Sequence, residues 1–212
     1  MTIKQQYYET VAKTIIKNLA SRQIEGFFCP TKEEACEKAL SFAKEGTSVS
    51  FGGSMTLEET GILSGLRSLN TITLYDRSTG KSPEEVKKIM HDALSADTYY
   101  MSTNAITVKG ELINIDGNGN RVAALIYGPE QVVIVAGMNK VVPDIEDGIR
   151  RVRNSATPPN CIRLNKNTPC AATGVCAHCL SPDCICNQIV ITRRSGHVGR
   201  IKVFLVGENL GF

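Results

Sequence analysis

The sequence lacks the features that would place the protein in a membrane or on nucleic acid. No stretch approaches the roughly eighteen consecutive apolar residues that read as a membrane-spanning helix. The N-terminal stretch MTIKQQYYETVAKTIIKNLASRQIEG has no uninterrupted apolar segment of the kind found in signal peptides. The 24 basic residues exceed the 21 acidic ones by only three, so no strong overall field attracts a polyanion. We therefore expect a cytoplasmic protein with neither membrane nor nucleic acid as a partner.

Several familiar functional motifs are also missing. The chain contains no G-x-x-x-x-G-K-[ST], no H-E-x-x-H and no G-x-S-x-G. The segment DGNGNR resembles a calcium loop, but Arg121 takes the place of the required glycine and Tyr127 that of the bidentate glutamate. Its glycines also begin a dinucleotide-binding pattern, which Val122 interrupts. The basic stretches IRRVRN and RRSGHVGRIK have no interleaved aromatic residues for base stacking, which favours solvated surfaces.

The first half of the chain alternates between helical and strand patterns. Apolar residues recur at steps of four in the first segment, and capping residues precede the later helices, as Ser82 and Pro83 do. The patterns predict helices over 3–24, 31–44, 55–69 and 82–94, and strands over 26–30, 47–53, 71–76 and 98–107. Helices between successive strands act as crossover connections, so we expect an α/β fold with a mostly parallel sheet covered on both faces.

The second half predicts a different arrangement within a single domain, 1–212. Residues 111–115 and 121–128 flank DGNGN, which favours an antiparallel hairpin. Residues 131–142 form the strongest buried-strand pattern, and 143–156 predict a helix ended by TPPN. Residues 187–194 and 200–207 predict a second, C-terminal β-hairpin. A cysteine-rich insertion, 161–187, then lies between the last helix and this hairpin.

The cysteine-rich insertion predicts a metal site. Cys176 and Cys179 form one C-x-x-C, Cys184 and Cys186 form a C-x-C, and Cys170 lies six residues before Cys176. Thiolates at such spacing can share an ion across a tight turn. Because a second C-x-x-C is absent, an iron–sulfur cluster is as compatible with the spacing as zinc. A redox dithiol pair and unliganded thiols are the alternatives. His178 could replace one ligand, although a solvated loop histidine is the simpler interpretation.

A second candidate site surrounds the glycine turn SFGGSMT, residues 50–56. Backbone N–H groups after a strand and before a helix can converge on an anion, and Ser54 and Thr56 can add hydroxyl donors. The alternative is that these residues only cap the helix. Glu59 could act as acid or base, or merely complement the helix dipole. Lys140 ends the strongest strand, where it could meet a phosphate or carboxylate or act covalently, or simply be solvated.

The chain resembles the lactate-utilisation (LUD) domain family, in its short cysteine-containing subgroup. The resemblance is carried by GGSMTLEETGI, TNAIT, INIDGNGNRVAALIYGP, VVIVAGMNKVV and TGVCAHCLSPDCICN. It implies a NagB/RpiA/CoA-transferase-like fold and a link to oxidation of L-lactate to pyruvate beside an iron–sulfur partner subunit. The ligand pocket it implies consists of Gly52, Gly53, Ser54, Thr56, Glu59, Asn104, Asn120, Arg121, Asn139 and Lys140. The metal ligands it implies are Cys170, Cys176, Cys179 and Cys186, with Cys184 a variable neighbour.

Two functional hypotheses follow. In the first, the protein is a redox accessory subunit for oxidation of L-lactate or a similar 2-hydroxy acid, and its cysteines hold an iron–sulfur cluster. In the second, it is a binding protein or enzyme for a phosphorylated or CoA-like anion, and the cysteines hold a structural zinc. No catalytic base or nucleophile stands out from the sequence.

Overall fold

The protein is built around a six-stranded sheet in which every strand pair is parallel. The computed structural model describes residues 2–212, so Met1 of the predicted domain lies outside the described residues. Its strands lie in the spatial order Glu25–Cys29, Ile201–Val206, Gln131–Gly137, Thr98–Met101, Ser48–Phe51 and Thr73–Tyr75. A second, four-stranded sheet has the order Val141–Val142, Ala105–Thr107, Leu112–Asp116 and Gln188–Thr192. The predicted α/β architecture is confirmed.

The elements have the following bounds. The strands are β1 (Glu25–Cys29), β2 (Ser48–Phe51), β3 (Thr73–Tyr75), β4 (Thr98–Met101), β5 (Ala105–Thr107), β6 (Leu112–Asp116), β7 (Gln131–Gly137), β8 (Val141–Val142), β9 (Gln188–Thr192) and β10 (Ile201–Val206). The helices are α1 (Ile3–Ser21), α2 (Lys32–Leu40), α3 (Met55–Glu59), α4 (Ile62–Ser68), α5 (Pro83–Asp92), α6 (Asn120–Ile126), α7 (Ile145–Arg151), α8 (Thr157–Arg163) and α9 (Pro169–Thr173).

Local sequence accounts for where the helices begin. The side chains of Thr31, Ser82 and Asp144 each accept a hydrogen bond from the backbone N–H three residues later, which satisfies a donor that the first turn leaves free. The predicted helix 55–69 is divided in two because Gly61 adopts a left-handed conformation, with φ of 79°. A short helix, α9, lies within the cysteine segment.

The parallel sheet has a core on each face. Along β7 the side chains alternate, so that Val132 and Ile134 pack with α1 on one face while Val133 and Val135 pack with α2 and α4 on the other. Both faces are buried, which explains why this strand is apolar throughout instead of alternating with polar residues. No helix in residues 2–212 is long and apolar enough to cross a membrane.

The predicted hairpin over residues 111–128 is wrong. Residues 112–116 form β6, but the following residues form helix α6. The Asp116 carboxylate accepts a hydrogen bond from the Gly119 N–H, and Gly119, with φ of 85°, starts the helix. The helix buries Val122, Ala124 and Leu125. Local sequence cannot tell whether such a short apolar run forms a helix or a strand.

The predicted C-terminal hairpin is also wrong. Strand β9 pairs with β6 in the smaller sheet, whereas β10 lies between β1 and β7 in the larger one. Although β9 and β10 are close in sequence, they lie in different sheets because each pairs with strands that are distant in sequence. Residues 98–107 and 131–142 likewise each divide between the two sheets instead of forming one strand.

Helix formation continues beyond TPPN, where the sequence predicts an end. One turn of π-helix, Val152–Ala156, joins α7 to α8, and the two prolines of TPPN occupy the first turn of α8. Proline is tolerated there because the first turn makes no use of its missing N–H. This continuation carries Cys161, in α8, toward the cysteine segment.

Candidate functional site

A cavity of about 330 Å³ lies beyond the carboxyl ends of β2 and β4 and beside the turn that follows β7. The ends of parallel strands in an open α/β sheet are a common location for ligand sites. The glycine turn, the strand ends, α8 and the cysteine segment all contribute to its wall. The lining residues are Gly53, Ser54, Met55, Thr56, Arg77, Ser102, Thr103, Asn104, Ile115, Asp116, Gly117, Asn118, Asn120, Arg121, Lys140, Ala156, Thr157, Asn160, Arg163, Leu164, Lys166, Ile185 and Phe212.

The glycine turn allows two arginine side chains to approach the backbone. A Cβ atom at Gly52 would lie 3.1 Å from Cδ of Arg121, and one at Gly53 would collide with the Arg77 side chain. Ser54 caps α3 by accepting a hydrogen bond from the Leu57 N–H at 3.4 Å. Because α3 has only five residues, its dipole contributes little. The positive charge near the turn is that of the two arginines.

Lys140 lies at the base of the cavity, in a 3-10 turn that follows β7. Only 4% of its surface is exposed. Its Nζ atom lies 2.8 Å from Oγ1 of Thr56 and 3.0 Å from Oγ of Ser102. Burial, together with the positive charges of Arg151 and Arg121, lowers the pKa of Lys140 to about 7, and the negative charge of Glu59 opposes this shift only in part. The amine is therefore largely neutral at slightly alkaline pH.

Arg121 organises one wall of the cavity. Its guanidinium donates to the carbonyl oxygens of Ser102 and Ile115 and to side-chain oxygens of Asn104 and Asn114 over 2.5–3.1 Å. Its Nε atom also lies 3.2 Å from the carboxylate of Asp116. With these partners occupied, Arg121 acts on a ligand mainly through its charge and through the strand ends that it holds together.

The structure brings most of the predicted pocket residues to the cavity. Gly52 does not line it but packs against Arg121, and the residues that do line it are Gly53, Ser54, Thr56, Asn104, Asn120, Arg121 and Lys140. Two others instead hold the C-terminal segment, residues 208–212. The Glu59 carboxylate accepts a hydrogen bond from the Gly211 N–H at 2.7 Å, and the Asn139 side chain accepts one from the Leu210 N–H at 3.0 Å.

Sequence reasoning missed several cationic lining residues. Arg77 directly follows a predicted strand. Because ligand sites in open α/β sheets lie at the carboxyl ends of strands, its position in the sequence could have identified it. Arg163 is the last residue of α8 and Lys166 follows it, both within the cysteine-rich insertion, where no local pattern marks them. The pKa of Arg163 is lowered by burial and by the positive charge of Arg77, whereas Glu58 opposes this shift. The two guanidinium groups therefore repel each other at the cavity.

Two pairs of cysteines are in contact, one through their sulfur atoms and one through a backbone N–H. Sγ of Cys161 is 3.7 Å from Sγ of Cys170, and Sγ of Cys184 is 3.4 Å from the N–H of Cys186. Burial raises the pKa of Cys161 and of Cys186 to about 11, whereas hydrogen bonds with Ser181 lower the pKa of Cys179. Within residues 2–212 no three Cys, His, Asp or Glu side chains are grouped to hold a metal ion. The segment supplies suitable donor atoms, but not in an arrangement that fits an ion.

The cysteine segment and the cavity share a wall. Sγ of Cys186 lies 3.7 Å from the Thr157 hydroxyl, and Thr157 lines the cavity. Ile185, between the two cysteines of the C-x-C, lines it as well. The two sites that the sequence predicts separately are therefore adjacent.

Fold and site together define a parallel α/β protein with a polar, cationic cavity at the carboxyl ends of its strands. The family model described as the LUD domain matches residues 12–206, and the chain belongs to this family. This match confirms the family resemblance expected from the motifs, and the chain is a protein of the lactate-utilisation type. No curated protein gives a significant match.

Solved structures resemble the chain mainly in fold. A DUF162 family protein from Deinococcus radiodurans is 14% identical, with 94% of this chain and 98% of that chain covered and a TM-score of 0.51. Ribose 5-phosphate isomerase A from Neisseria gonorrhoeae is 17% identical over 54% of each chain, with a TM-score of 0.35. Ribose 5-phosphate isomerase A from Methanocaldococcus jannaschii is 16% identical over 63% of this chain and 62% of that chain, with a TM-score of 0.34.

Proposed function

We propose that the cavity binds a small organic anion, and that the protein serves as an accessory subunit in oxidation of L-lactate or a similar 2-hydroxy acid. The observation that carries this proposal is the charge of the lining. Arg77, Arg163 and Lys166 line the cavity as cations, while the Asp116 carboxylate is already paired with Arg121. An anion between Arg77 and Arg163 relieves their mutual repulsion and accepts charge-assisted hydrogen bonds from them.

Isothermal titration calorimetry tests this proposal. L-lactate and pyruvate are titrated into the protein at low and high salt, beside acetate as a smaller carboxylate. Replacing Arg163 with Gln should weaken binding about tenfold or more, because a hydrogen bond to a charged group contributes about 1.5–3 kcal/mol. The matched control is Arg150→Gln, since the Arg150 side chain is 75% exposed on α7 and does not line the cavity. Equal affinity in both variants would contradict the proposed site.

A larger anion is the second candidate. The cavity volume of about 330 Å³ exceeds what a three-carbon acid fills, and it is in the range of sites for larger molecules. A phosphorylated sugar or a CoA-like compound fits the same charges. Titration of glycerol 3-phosphate and of CoA separates the candidates, because binding of these ligands without binding of L-lactate favours the second function.

For the cysteine segment we propose a bound metal, either an iron–sulfur cluster or zinc. The concentration of thiols supports it, together with the contacting pairs Cys161 with Cys170 and Cys184 with Cys186. Because the described side chains form pairs instead of a closed ligand set, binding requires the segment to rearrange. A cluster would suit the accessory redox role beside an iron–sulfur partner subunit, whereas zinc would be structural.

A cytoplasmic location of the protein stays a prediction.

Element analysis after anaerobic purification distinguishes these metals. A brown protein with iron and sulfide favours the cluster, and a colourless one with stoichiometric zinc favours the structural site. Under either alternative Cys179→Ser should abolish metal content. Cys36→Ser is the control, because Cys36 lies in α2 and packs against the core. Full metal content in the Cys179 variant would remove that residue from the ligand set.

A further inference from the structure

The surroundings of Lys140 Nζ differ from those of an ordinary anion-binding lysine. The side chain is buried, yet it lines the cavity. No carboxylate in residues 2–212 forms a salt bridge with it. Its two close polar partners are the hydroxyl groups of Thr56 and Ser102. A buried ammonium without a counter-ion is costly, so these surroundings favour the neutral amine.

The hydrogen bonds around Nζ match a neutral amine. The Thr56 hydroxyl can donate its hydrogen to the Leu210 carbonyl, at 3.4 Å, and the Ser102 hydroxyl can donate to the Thr103 carbonyl, at 3.2 Å. Both hydroxyl oxygens are then acceptors for Nζ. A neutral amine has two hydrogens to donate to them, and its lone pair stays free, whereas an ammonium would have a third hydrogen without a partner.

Charged neighbours maintain this state. Arg121 and Arg151 place positive charge near Nζ, while Glu59 is the carboxylate that opposes them. The Glu59 carboxylate is engaged with the Gly211 N–H, and Arg151 donates to the carbonyl of Asn104 at 2.7 Å, so both charged groups are held in place. A lysine in such an electropositive, desolvated position is the type that reacts as a nucleophile.

We propose that Lys140 forms an imine with a small carbonyl compound that carries a carboxylate or phosphate, such as a 2-oxo acid. This inference rests on the proposed anion-binding cavity, and it names the class of compound and the atom with which it reacts. Arg77 and Arg163 would hold the anionic group at the cavity wall while the carbonyl carbon faces Nζ. Thr56 and Ser102 are positioning residues, because they direct the lone pair without touching the carbonyl.

The chemistry requires no further reactant. The Nζ lone pair attacks the carbonyl carbon, a C–N bond forms, and the carbonyl oxygen takes up a proton as one leaves nitrogen. Loss of that oxygen as water breaks the C–O bond and leaves a C=N bond. The second nitrogen hydrogen leaves with the water in the neutral imine, and uptake of a solvent proton gives the iminium ion. No oxidation or reduction occurs.

Borohydride trapping of the full chain with pyruvate tests the inference. Reduction of the imine should add the mass of pyruvate less one oxygen atom, and peptide mapping should place the addition on Lys140. Lys140→Met should lose the adduct and keep the circular dichroism spectrum of the wild type. Exposed Lys13 and Lys88 are internal controls on the same chain. Modification confined to such exposed lysines would overturn the inference.

A second measurement keeps the test decisive if the Lys140 variant does not fold. In the wild type, L-lactate has no ketone and should compete for the cavity, so that excess L-lactate reduces trapping at Lys140. Pyruvate that binds by calorimetry but gives no adduct overturns the imine and leaves the anion site standing. Absence of both binding and adduct overturns the proposed function as well.

Discussion

At the scale of single residues, two buried cations have different roles in the cavity. The guanidinium of Arg121 donates hydrogen bonds to surrounding oxygen atoms and pairs with Asp116. These contacts offset the cost of burying its charge, so the charge is retained. Lys140 has hydroxyl groups as its close partners, and the positive charges of Arg151 and Arg121 outweigh the negative charge of Glu59, so its own charge is disfavoured. Burial alone does not decide the charge state of a basic side chain, because the partners available at each site determine whether desolvation is offset.

The lowered pKa of Lys140, about 7, makes the folding stability depend on pH. Between this value and the ordinary lysine pKa of about 10.4, the unfolded chain binds a proton that the folded chain does not. The free energy of unfolding should therefore rise with pH in that window, by up to about 1.4 kcal/mol per unit. Urea unfolding of the wild type and of Lys140→Met from pH 6 to 10 measures this slope as the difference between them. Parallel curves would contradict a neutral, buried Lys140.

Arg121 should be among the most costly residues to remove. Arg121→Ala leaves Asp116 buried without its ion pair and frees four hydrogen-bond acceptors, so we expect a loss of about 3–5 kcal/mol in the free energy of unfolding. Arg150→Ala on the exposed face of α7 should cost less than about 1 kcal/mol. Denaturant unfolding measures both. Equal losses in the two variants would show that the Arg121 network contributes no special stability.

At the scale of elements, the turn after β6 directs the chain to a different place from the one that local sequence predicts. Gly119 starts a helix, and the helix carries Asn120 and Arg121 into the cavity wall. A strand in its place would have put alternate residues on opposite faces. The start of α6 therefore determines the form of one wall of the site.

Substitution of Gly119 tests this helix start. Its φ of 85° disfavours any side chain, while the nearest atom to an added Cβ would be in Gln188 at an ordinary 3.5 Å. Gly119→Ala should thus lose about 1–2 kcal/mol through backbone conformation alone. Gly196 is the matched control, because an added Cβ there meets nothing within 4 Å and its φ is not positive. Gly196→Ala should leave the melting temperature unchanged or slightly higher, and an equal loss in both variants would be inconsistent with a conformational cause.

At the scale of the whole molecule, the cavity lies where the sheet, α8 and the cysteine segment meet. Thr157 contacts both the cavity and Cys186, and Ile185 lines the cavity from within the C-x-C. We therefore expect occupation of the cavity to change the surroundings of the nearest thiols. Ligand binding and cysteine chemistry are adjacent parts of one region.

This adjacency predicts that an anion slows alkylation of Cys184 and Cys186. Both thiols are half-buried and lie beside the cavity. Cys36 on α2 is also half-buried but does not line the cavity, so it serves as the internal control. Iodoacetamide labelling followed by mass spectrometry, with and without the anion that binds best, measures the rate at each cysteine. Protection should be confined to the C-x-C pair, and equal protection at Cys36 would indicate general stabilisation instead.

Much of the fold follows from interactions within a few residues along the chain. The caps at Thr31 and Ser82 mark helix starts through bonds that span three residues, and the apolar run of β7 reflects burial on both faces. The motifs GGSMTLEETGI and VVIVAGMNKVV contain Thr56 and Lys140, so local sequence was enough to predict both as residues of the ligand pocket. Such signals predict helix starts, buried strands and strand-end residues.

The remaining features depend on contacts between residues that are far apart in the chain. Thr56 and Lys140 are 84 positions apart, and only folding brings the Thr56 hydroxyl to the amine. The separation of β9 from β10 depends on their partners in two different sheets, and Cys161 meets Cys170 because α8 continues through its prolines. The pKa of Lys140 is likewise a tertiary property, since it results from burial and from charges on Arg121 and Arg151 that approach only in the folded chain.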